Sequence, residues 1–310
     1  MAKCRKRNKI SKKNYPLIIA AVIILVSLLV LVIVINYQPS AGPQKPETPV
    51  QPAPEPAPKP EPEPQVPLNP EPEPAPQPKP EPETPKKHLY IILDDGGHNT
   101  RQLMPFLEFP GKLSIAVIPR LKYSTEAGEL IYEHGKTVML HQPMQPMGKA
   151  DPGAGAIYVT MSDDEIRKTL NDNIASVPHV TGFNNHMGSA ATSDERVMDV
   201  VLKVAKKRGL FFVDSFTHAG SVCAKMAKKN GMTIARRDIF LDNDKSREKM
   251  LEAFNEGKAI ADKKGYAVMI GHVWSDNLAQ LLIDVYPECI EQGYSFESIS
   301  DYFTLDAKEE

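Results

Sequence analysis

Short apolar runs recur along the chain after residue 87, and most of them stop at a polar side chain. The runs are rich in β-branched residues, which is typical of buried strands. The polar residues that end five of them are, in chain order, Asp94 with Asp95, His141, Asn185 with His186, Asp214 and His272. Because the carboxyl ends of parallel strands lie at one edge of a sheet, this pattern predicts a shared site.

Helix-like segments with a period near 3.6 residues separate the strand-like runs. Seven such alternations predict an α/β fold, with a parallel sheet covered by helices. The fourth strand is predicted at 179–183 and the sixth at 233–241. Since polar residues end many different strands, a seven-stranded (β/α) barrel is favoured over an open doubly wound sheet, where they would gather at one switch point.

Two N-terminal segments lack this pattern. Residues 16–37 contain an apolar stretch with no charged side chain, about as long as the roughly 20 residues that span a hydrocarbon core. Residues 1–15 are strongly basic, which places that end in the cytoplasm. We therefore predict a single-pass signal anchor in the inner (cytoplasmic) membrane and a periplasmic or extracellular C-terminal domain. A cleaved signal peptide is the alternative.

Proline dominates the segment that follows, because 20 of the chain's 29 prolines lie within residues 38–87. Proline fixes φ and removes a backbone donor, so this segment is predicted to be a disordered, extended linker. Residues 88–305 then form the globular domain. The formal net charge of −2 gives no footprint of nucleic-acid binding. Cys223 and Cys289 leave a disulfide open, since spacing alone does not establish one.

The strand-end motifs also resemble a known family. They are Leu-Asp94-Asp95-Gly-Gly, Met-Leu-His141-Gln-Pro-Met, Asn184-Asn-His186-Met-Gly-Ser, Phe-Phe-Val-Asp214-Ser, Arg237-Asp238-x-Phe-Leu-Asp242-Asn243 and Ile-Gly-His272. In this order, across essentially all of 88–303, they resemble the divergent polysaccharide deacetylases, YibQ-like relatives of the NodB-type carbohydrate esterases. The resemblance implies a NodB-type (β/α) barrel, a divalent metal and hydrolysis of an N-acetyl group of a glycan.

The resemblance also implies roles for individual residues. Asp94 matches the family's catalytic base, Asp95 its metal-binding aspartate, and His272 the late histidine that acts as general acid. The second motif of the family carries two histidines four residues apart, whereas only His141 stands at that position here. The resemblance therefore implies that His186 supplies the missing ligand.

One carboxylate and two imidazoles are a donor set that suits zinc and leaves a position open for water. Neighbouring strand residues face opposite ways, so Asp94 and Asp95 serve one site only if the strand turns there, which Gly96 and Gly97 allow. His98 is a reserve ligand. Four further residues are placed around the site, as orienting or substrate-lining groups: Asn185, Asp214, Asp238 and Trp274.

These features predict a membrane-anchored, extracytoplasmic, metal-dependent deacetylase that acts on an N-acetylated envelope polysaccharide such as peptidoglycan, with zinc as the expected metal. The alternative is a catalytically inactive protein on the same fold that binds glycan or scaffolds the envelope. A phosphate or nucleotide site at Gly96 and Gly97 is a weaker hypothesis, because the chain lacks both G-x-G-x-x-G and a Walker lysine.

Overall fold

Nine parallel strands and eight α-helices alternate along residues 87–306, which are the residues that a computed structural model of the chain describes. The predicted cytoplasmic tail, the signal anchor and, apart from Lys87, the linker lie outside these residues. Within 87–306, no helix combines the length and the apolar character that a membrane span requires. The parallel α/β fold predicted from the sequence is confirmed.

The strands run as follows: β1 Lys87–Gly96, β2 Ser114–Val117, β3 Thr137–Met144, β4 Gly182–Met187, β5 Phe211–Asp214, β6 Ala235–Arg236, β7 Ile239–Phe240, β8 Tyr266–His272 and β9 Tyr294–Glu297. The helices are α1 Met104–Leu107, α2 Ser124–Glu133, α3 Asp163–Ser176, α4 Glu195–Arg208, α5 Cys223–Lys229, α6 Arg247–Lys264, α7 Asp276–Glu291 and α8 Ile299–Asp306. A single 3₁₀ turn, Ala191–Ser193, precedes α4.

Strand β1 lies at the centre of the sheet, whose order is β6-β5-β4-β3-β2-β1-β8-β7. On one side β1 pairs with β8 from His88 to Asp94. On its other side it pairs first with β9 and then with β2. The strand that carries the acidic pair is therefore held by neighbours from both ends of the domain.

The predicted sixth strand, 233–241, is wrong as a single element. It forms β6 and β7, which lie at opposite edges of the sheet and are joined only by Arg237 and Asp238. The backbone N–H of Arg237 bonds Asp214 on β5, and that of Asp238 bonds Val268 on β8. Such a short link spans at most about 10 Å, so the sheet must curl until its edges face each other. The result is a curled half-barrel of parallel strands, which confirms the expected (β/α) arrangement in its coarse form but not its seven strands.

Side chains alternate between the two faces of the curled sheet. Leu89, Ile91 and Leu93 of β1 pack outward under the helices, whereas Tyr90 and Ile92 point inward. The inner layer at the amino end of the strands is apolar and largely aromatic, and α8 closes it; its members include Phe211, Tyr266, Ile299, Tyr302 and Phe303. Tyr302 contacts the rings of both Tyr90 and Tyr266 edge-on.

The same inward rows become polar at the carboxyl end. Strands β1, β3, β4 and β8 each carry a polar residue two positions beyond an inward-facing residue. In strand order, these polar residues are Asp94, His141, Asn184 and His272. Since successive strand residues face opposite ways, these four side chains share the interior of the curl. The predicted convergence of polar strand ends thus follows directly from the alternation of the strands.

Candidate metal centre

A β-bulge in β1 brings both aspartates to the same side. Leu93 pairs with Ile115 and Gly96 with Val117, so β1 has one extra residue between these pairs. Asp95 takes up the bulge with φ of 66°, a left-handed conformation that costs on the order of 1–3 kcal/mol in a non-glycine residue. The turn that the sequence required is therefore made by the aspartate itself, before the glycines.

Three side-chain atoms converge beside this bulge. Asp95 Oδ1 lies 3.4 Å from His141 Nε2 and 3.3 Å from His186 Nδ1, and the two nitrogens are 3.1 Å apart. In a tetrahedral zinc site with bonds of about 2.0–2.1 Å, donor atoms lie about 3.3–3.4 Å from one another. The three atoms thus form a triangle of the size that one such ion requires.

Asp95 Oδ1 is buried and makes no hydrogen bond with any described residue. An orphaned carboxylate oxygen is costly in a protein interior, and a cation would satisfy it. The other oxygen, Oδ2, accepts a hydrogen bond of 3.0 Å from Trp274 Nε1. One oxygen is therefore held by the indole while the other faces the histidines. The residues present fit a divalent metal.

His141 is held from behind by Asn184. The distance from His141 Nδ1 to Asn184 Oδ1 is 2.7 Å, and Asn184 Nδ2 donates to Asp94 Oδ1 at 2.8 Å. Asp94, His141 and Asn184 are all buried, and the second oxygen of Asp94 lies 3.6 Å from His141 Nε2. The amide of Asn184 thereby links Asp94, the inferred base, to His141, an inferred metal ligand.

The two aspartates differ in their electrostatic surroundings. Burial raises the pKa of Asp94, and its neighbours only partly offset that effect. Burial also acts to raise the pKa of Asp95, but the close approach and charge of His141 and His186 prevail and hold it well below its usual range. For His141, burial lowers the pKa, yet the charge of Asp94 and contact with Asp95 raise it to about 9. Adjacent carboxyls with divergent pKa values are typical of sites that divide acid–base roles.

His272 stands across β1 from these residues, paired in register with Asp94. Its Nδ1 lies 2.9 Å from Asp242 Oδ1, and its backbone N–H donates to the other oxygen of Asp242. Burial lowers the pKa of His272, but contact with Asp242 outweighs this and raises it. The imidazole stacks on Trp274 with 4.8 Å between ring centroids. Trp274 therefore joins His272 to Asp95, the inferred ligand.

Comparison with known protein families shows which family the chain belongs to. The family described as divergent polysaccharide deacetylase matches residues 91–303, more than half of the chain. The chain belongs to this family. The resemblance inferred from the strand-end motifs is confirmed, and the match spans all the side chains described above.

Two curated proteins and one solved structure are similar to this chain. An uncharacterised protein of Haemophilus influenzae is 32% identical over 193 residues, which cover 62% of this chain and 69% of the relative. The uncharacterised protein YibQ of Escherichia coli is 30% identical over 184 residues, covering 59% and 58%. The crystal structure of the uncharacterised protein ATU2773 from Agrobacterium tumefaciens has the same fold, with a TM-score of 0.68 at 18% identity, over 72% of this chain and 92% of that one.

Four predicted site residues lie apart from the triangle. Asn185 faces outward, where it accepts from the Ser215 N–H and donates to the Met187 carbonyl. Asp214 accepts from the Ser221 hydroxyl and the Phe216 N–H, so it shapes the loop after β5. Two others also lie elsewhere, namely Asp238, which bonds Lys264 and the Val268 N–H, and His98, which is exposed.

Two residues of the quoted strand-end motifs that were not among the predicted site residues do reach the site, namely Asn184 and Asp242. The fourth strand was predicted to end at residue 183, whereas β4 continues to Met187. Once the strand is extended, alternation from Gly182 places Asn184 and His186 inward and Asn185 outward. Extending the inward and outward alternation through the polar residues after 183 would have identified Asn184 as an inward-facing side chain. Cys223 and Cys289 are both free and buried, so the disulfide that the sequence left open is absent.

A polar cavity adjoins the triangle of Asp95, His141 and His186. Its volume is about 270 Å³, and it is lined by Asn99, Arg101, Gln102, Trp274 and Asp276. The wall shared with the centre is Trp274, whose indole N–H binds Asp95. One face of that indole stacks on His272, and the Lys245 ammonium lies 5.1 Å from its centroid. Trp274 is therefore already engaged as part of the site.

Proposed function

We propose that this divergent polysaccharide deacetylase removes N-acetyl groups from an envelope polysaccharide, with a divalent metal held by Asp95, His141 and His186. The triangle of donor atoms carries this proposal, because its three distances match those around one tetrahedrally bound ion. Zinc is the expected metal, since one carboxylate and two imidazoles form a donor set that zinc commonly accepts.

The bound metal would supply a Lewis acid that polarises the acetamido carbonyl. Asp94 accepts the proton of the attacking water, and its raised pKa suits a group that must take up a proton. His272 donates a proton to the amine nitrogen as the carbon–nitrogen bond breaks, and Asp242 holds its ring. These assignments place base and acid on adjacent strands, with the scissile bond between them.

The neighbouring cavity is the proposed place for an adjoining sugar. Its walls offer the amides of Asn99 and Gln102, the guanidinium of Arg101 and the carboxylate of Asp276. Such groups match the hydroxyl and amide groups of a polysaccharide. We further propose that the N-terminal segment anchors the domain at the membrane, and that the proline-rich segment extends it towards an envelope glycan such as peptidoglycan.

Metal analysis of the purified full-length chain, with Asp95→Ala and His141→Ala beside it, is the first test. We expect about one zinc per wild-type chain, its loss in both variants, and release of acetate from N-acetylated glycan by the wild type alone. An exposed histidine far from the site, His134, provides the control, and His134→Ala should retain metal and activity.

Two results would contradict the proposal. A wild-type chain that takes up no divalent metal, even when ions are added back, would remove its basis. A chain that binds metal and N-acetylated glycan without releasing acetate would instead establish the alternative, a glycan-binding protein on the deacetylase fold.

A further inference from the structure

The side chain of Asn184 contacts both Asp94, the inferred base, and His141, an inferred metal ligand, at hydrogen-bonding distance. We propose that Asn184 is a positioning residue with two separable tasks. Its oxygen fixes the tautomer of His141, so that Nε2 presents a lone pair to the metal, and its amide nitrogen holds Asp94. The second task rests on the proposed function, whereas the first requires only that the site binds metal.

The direction of the amide follows from the chemistry of its partners. An ionised carboxylate only accepts hydrogen bonds, so the group 2.8 Å from Asp94 must be the amide NH₂. The amide oxygen then faces His141 Nδ1 at 2.7 Å, and that nitrogen must carry the hydrogen. A neutral imidazole has one N–H, so Nε2 of His141 is left with its lone pair.

The nitrogen that carries this lone pair is one corner of the triangle of inferred metal donors. Nε2 of His141 is the atom that lies 3.4 Å from Asp95 Oδ1 and 3.1 Å from His186 Nδ1. A ligand histidine commonly donates its other N–H to a fixed acceptor, which raises its basicity and orients its ring. Asn184 supplies that acceptor from the interior of the curl, where it is fully buried and water has no access to replace it.

Few other side chains are able to do both tasks from this position. Leucine has similar volume but offers neither donor nor acceptor. Aspartate retains an acceptor for His141 but presents a second negative charge to Asp94 and no donor. The pair Asn184→Leu and Asn184→Asp therefore separates the two contacts without opening a large cavity.

The experiment measures zinc affinity by competition with a chelator, using full-length wild-type chain and the two variants. For Asn184→Leu we expect affinity to fall about 10–100-fold, the usual cost of losing an outer hydrogen-bond partner of a ligand. For Asn184→Asp we expect affinity within about threefold of the wild type, because the acceptor remains. Deacetylation, when measured at saturating zinc, should fall at least about tenfold in both variants.

A spectroscopic measurement separates positioning from simple destabilisation. In zinc-loaded protein with ¹⁵N-labelled histidine, the Nδ1 proton of His141 should give a downfield, slowly exchanging signal in the wild type and in Asn184→Asp. The signal should be lost or moved upfield in Asn184→Leu. A fold made merely less stable would lower the melting temperature without changing that signal.

Asn173 offers a matched control. It is a fully buried asparagine on α3 that donates to Gln142 Oε1 and accepts from Arg120, with no contact to the triangle. Asn173→Leu should lower stability and leave both zinc affinity and the His141 signal unchanged. Wild-type zinc affinity and an unchanged His141 signal in Asn184→Leu would overturn the proposal.

Failure of this inference is distinguishable from failure of the proposed function. Affinity and the His141 signal are read without turnover, so they test the first task even in a chain that releases no acetate. If the wild type deacetylates and Asn184→Asp does so at the same rate, the link to Asp94 is refuted while the function stands.

Discussion

The inward-facing side chains of the curled sheet are apolar at one end of the strands and polar at the other. At the amino end, the inward side chains of β1, β5 and β8 are aromatic and pack against α8, with ring contacts such as Tyr90 on Tyr302. At the carboxyl end, the same rows carry the buried carboxylate of Asp94, the buried imidazole of His141 and the buried amide of Asn184, with the half-buried imidazole of His272 beside them. One end gains apolar burial, whereas the other buries charge.

This difference separates stability from chemistry along each strand. The carboxyl end contains a left-handed aspartate and a carboxylate oxygen without a hydrogen bond, both of which cost free energy. The aromatic layer at the amino end provides the close packing that offsets such costs. We therefore expect substitutions at one end to alter chemistry and those at the other to alter stability.

The largest expected effect tests the carboxyl end through its inferred acid. His272→Gln should lower turnover about 10²–10⁴-fold, the usual contribution of a positioned proton donor. Zinc content should not change, because His272 is not part of the triangle. Rates of acetate release at saturating glycan provide the measurement.

A histidine at the amino end of β1 supplies the control for that variant. His88 contacts the Ser295 hydroxyl, far along the strand from Asp94. His88→Gln should leave turnover within about twofold of the wild type. Equal losses from both histidines would show that the two ends do not differ as described.

The next effect tests the amino end. Ile299, at the start of α8, is fully buried in the inner layer. Ile299→Ala should lower the free energy of unfolding by about 2–5 kcal/mol, because it removes apolar contacts and leaves a cavity. Denaturant unfolding measures this, and zinc affinity of the folded variant should stay unchanged. Ile290→Ala, at an exposed position, should cost less than about 0.5 kcal/mol.

A smaller effect sharpens the role of the indole. Trp274→Phe keeps an aromatic ring beside His272 but loses the N–H that binds Asp95 Oδ2. Zinc affinity should fall about tenfold, as expected for the loss of a hydrogen bond that orients a ligand. Isothermal titration with zinc measures this. Unchanged affinity would show that Asp95 is oriented by the bulge alone.

The smallest effect concerns the cavity beside the centre. Arg101→Gln removes a charge from its wall but retains a hydrogen-bonding group. The KM for an N-acetylated oligosaccharide should rise about threefold, since one exposed contact contributes under about 1 kcal/mol. Turnover at saturation should hold constant. A fall in turnover instead would place Arg101 in the chemical step.

Much of this arrangement was accessible from the sequence, because strand ends reveal themselves by an abrupt change from apolar to polar residues. Asp94, Asp95, His141, His186 and His272 were all placed at strand ends, and the structure brings them together. Their functional roles remain predictions. The polar composition of β4 concealed its length, since an Asn-Asn-His run does not look like a strand.

Other features were hidden because they depend on the curl. In the sequence, residues 233–241 resemble one strand. They divide into β6 and β7 because backbone hydrogen bonds to Asp214 and Val268 hold the two halves at different edges of the sheet. Asp242 looked like a turn residue because its partner His272 is 30 positions away. Asn184 and Asn185 are adjacent and identical in type, so only the strand's register distinguishes the buried bridge from the loop contact.

The central place of β1 has a consequence for the order in which the domain is completed during synthesis. Its pairing with β8 and β9 joins residues near Lys87 to residues beyond Tyr266. Until that last part of the chain emerges, β1 has one edge without its native partner, and such edges readily pair with other chains. The nascent domain therefore requires protection until its final strands arrive, so a chaperone should hold chains truncated before Tyr266 far longer than complete ones.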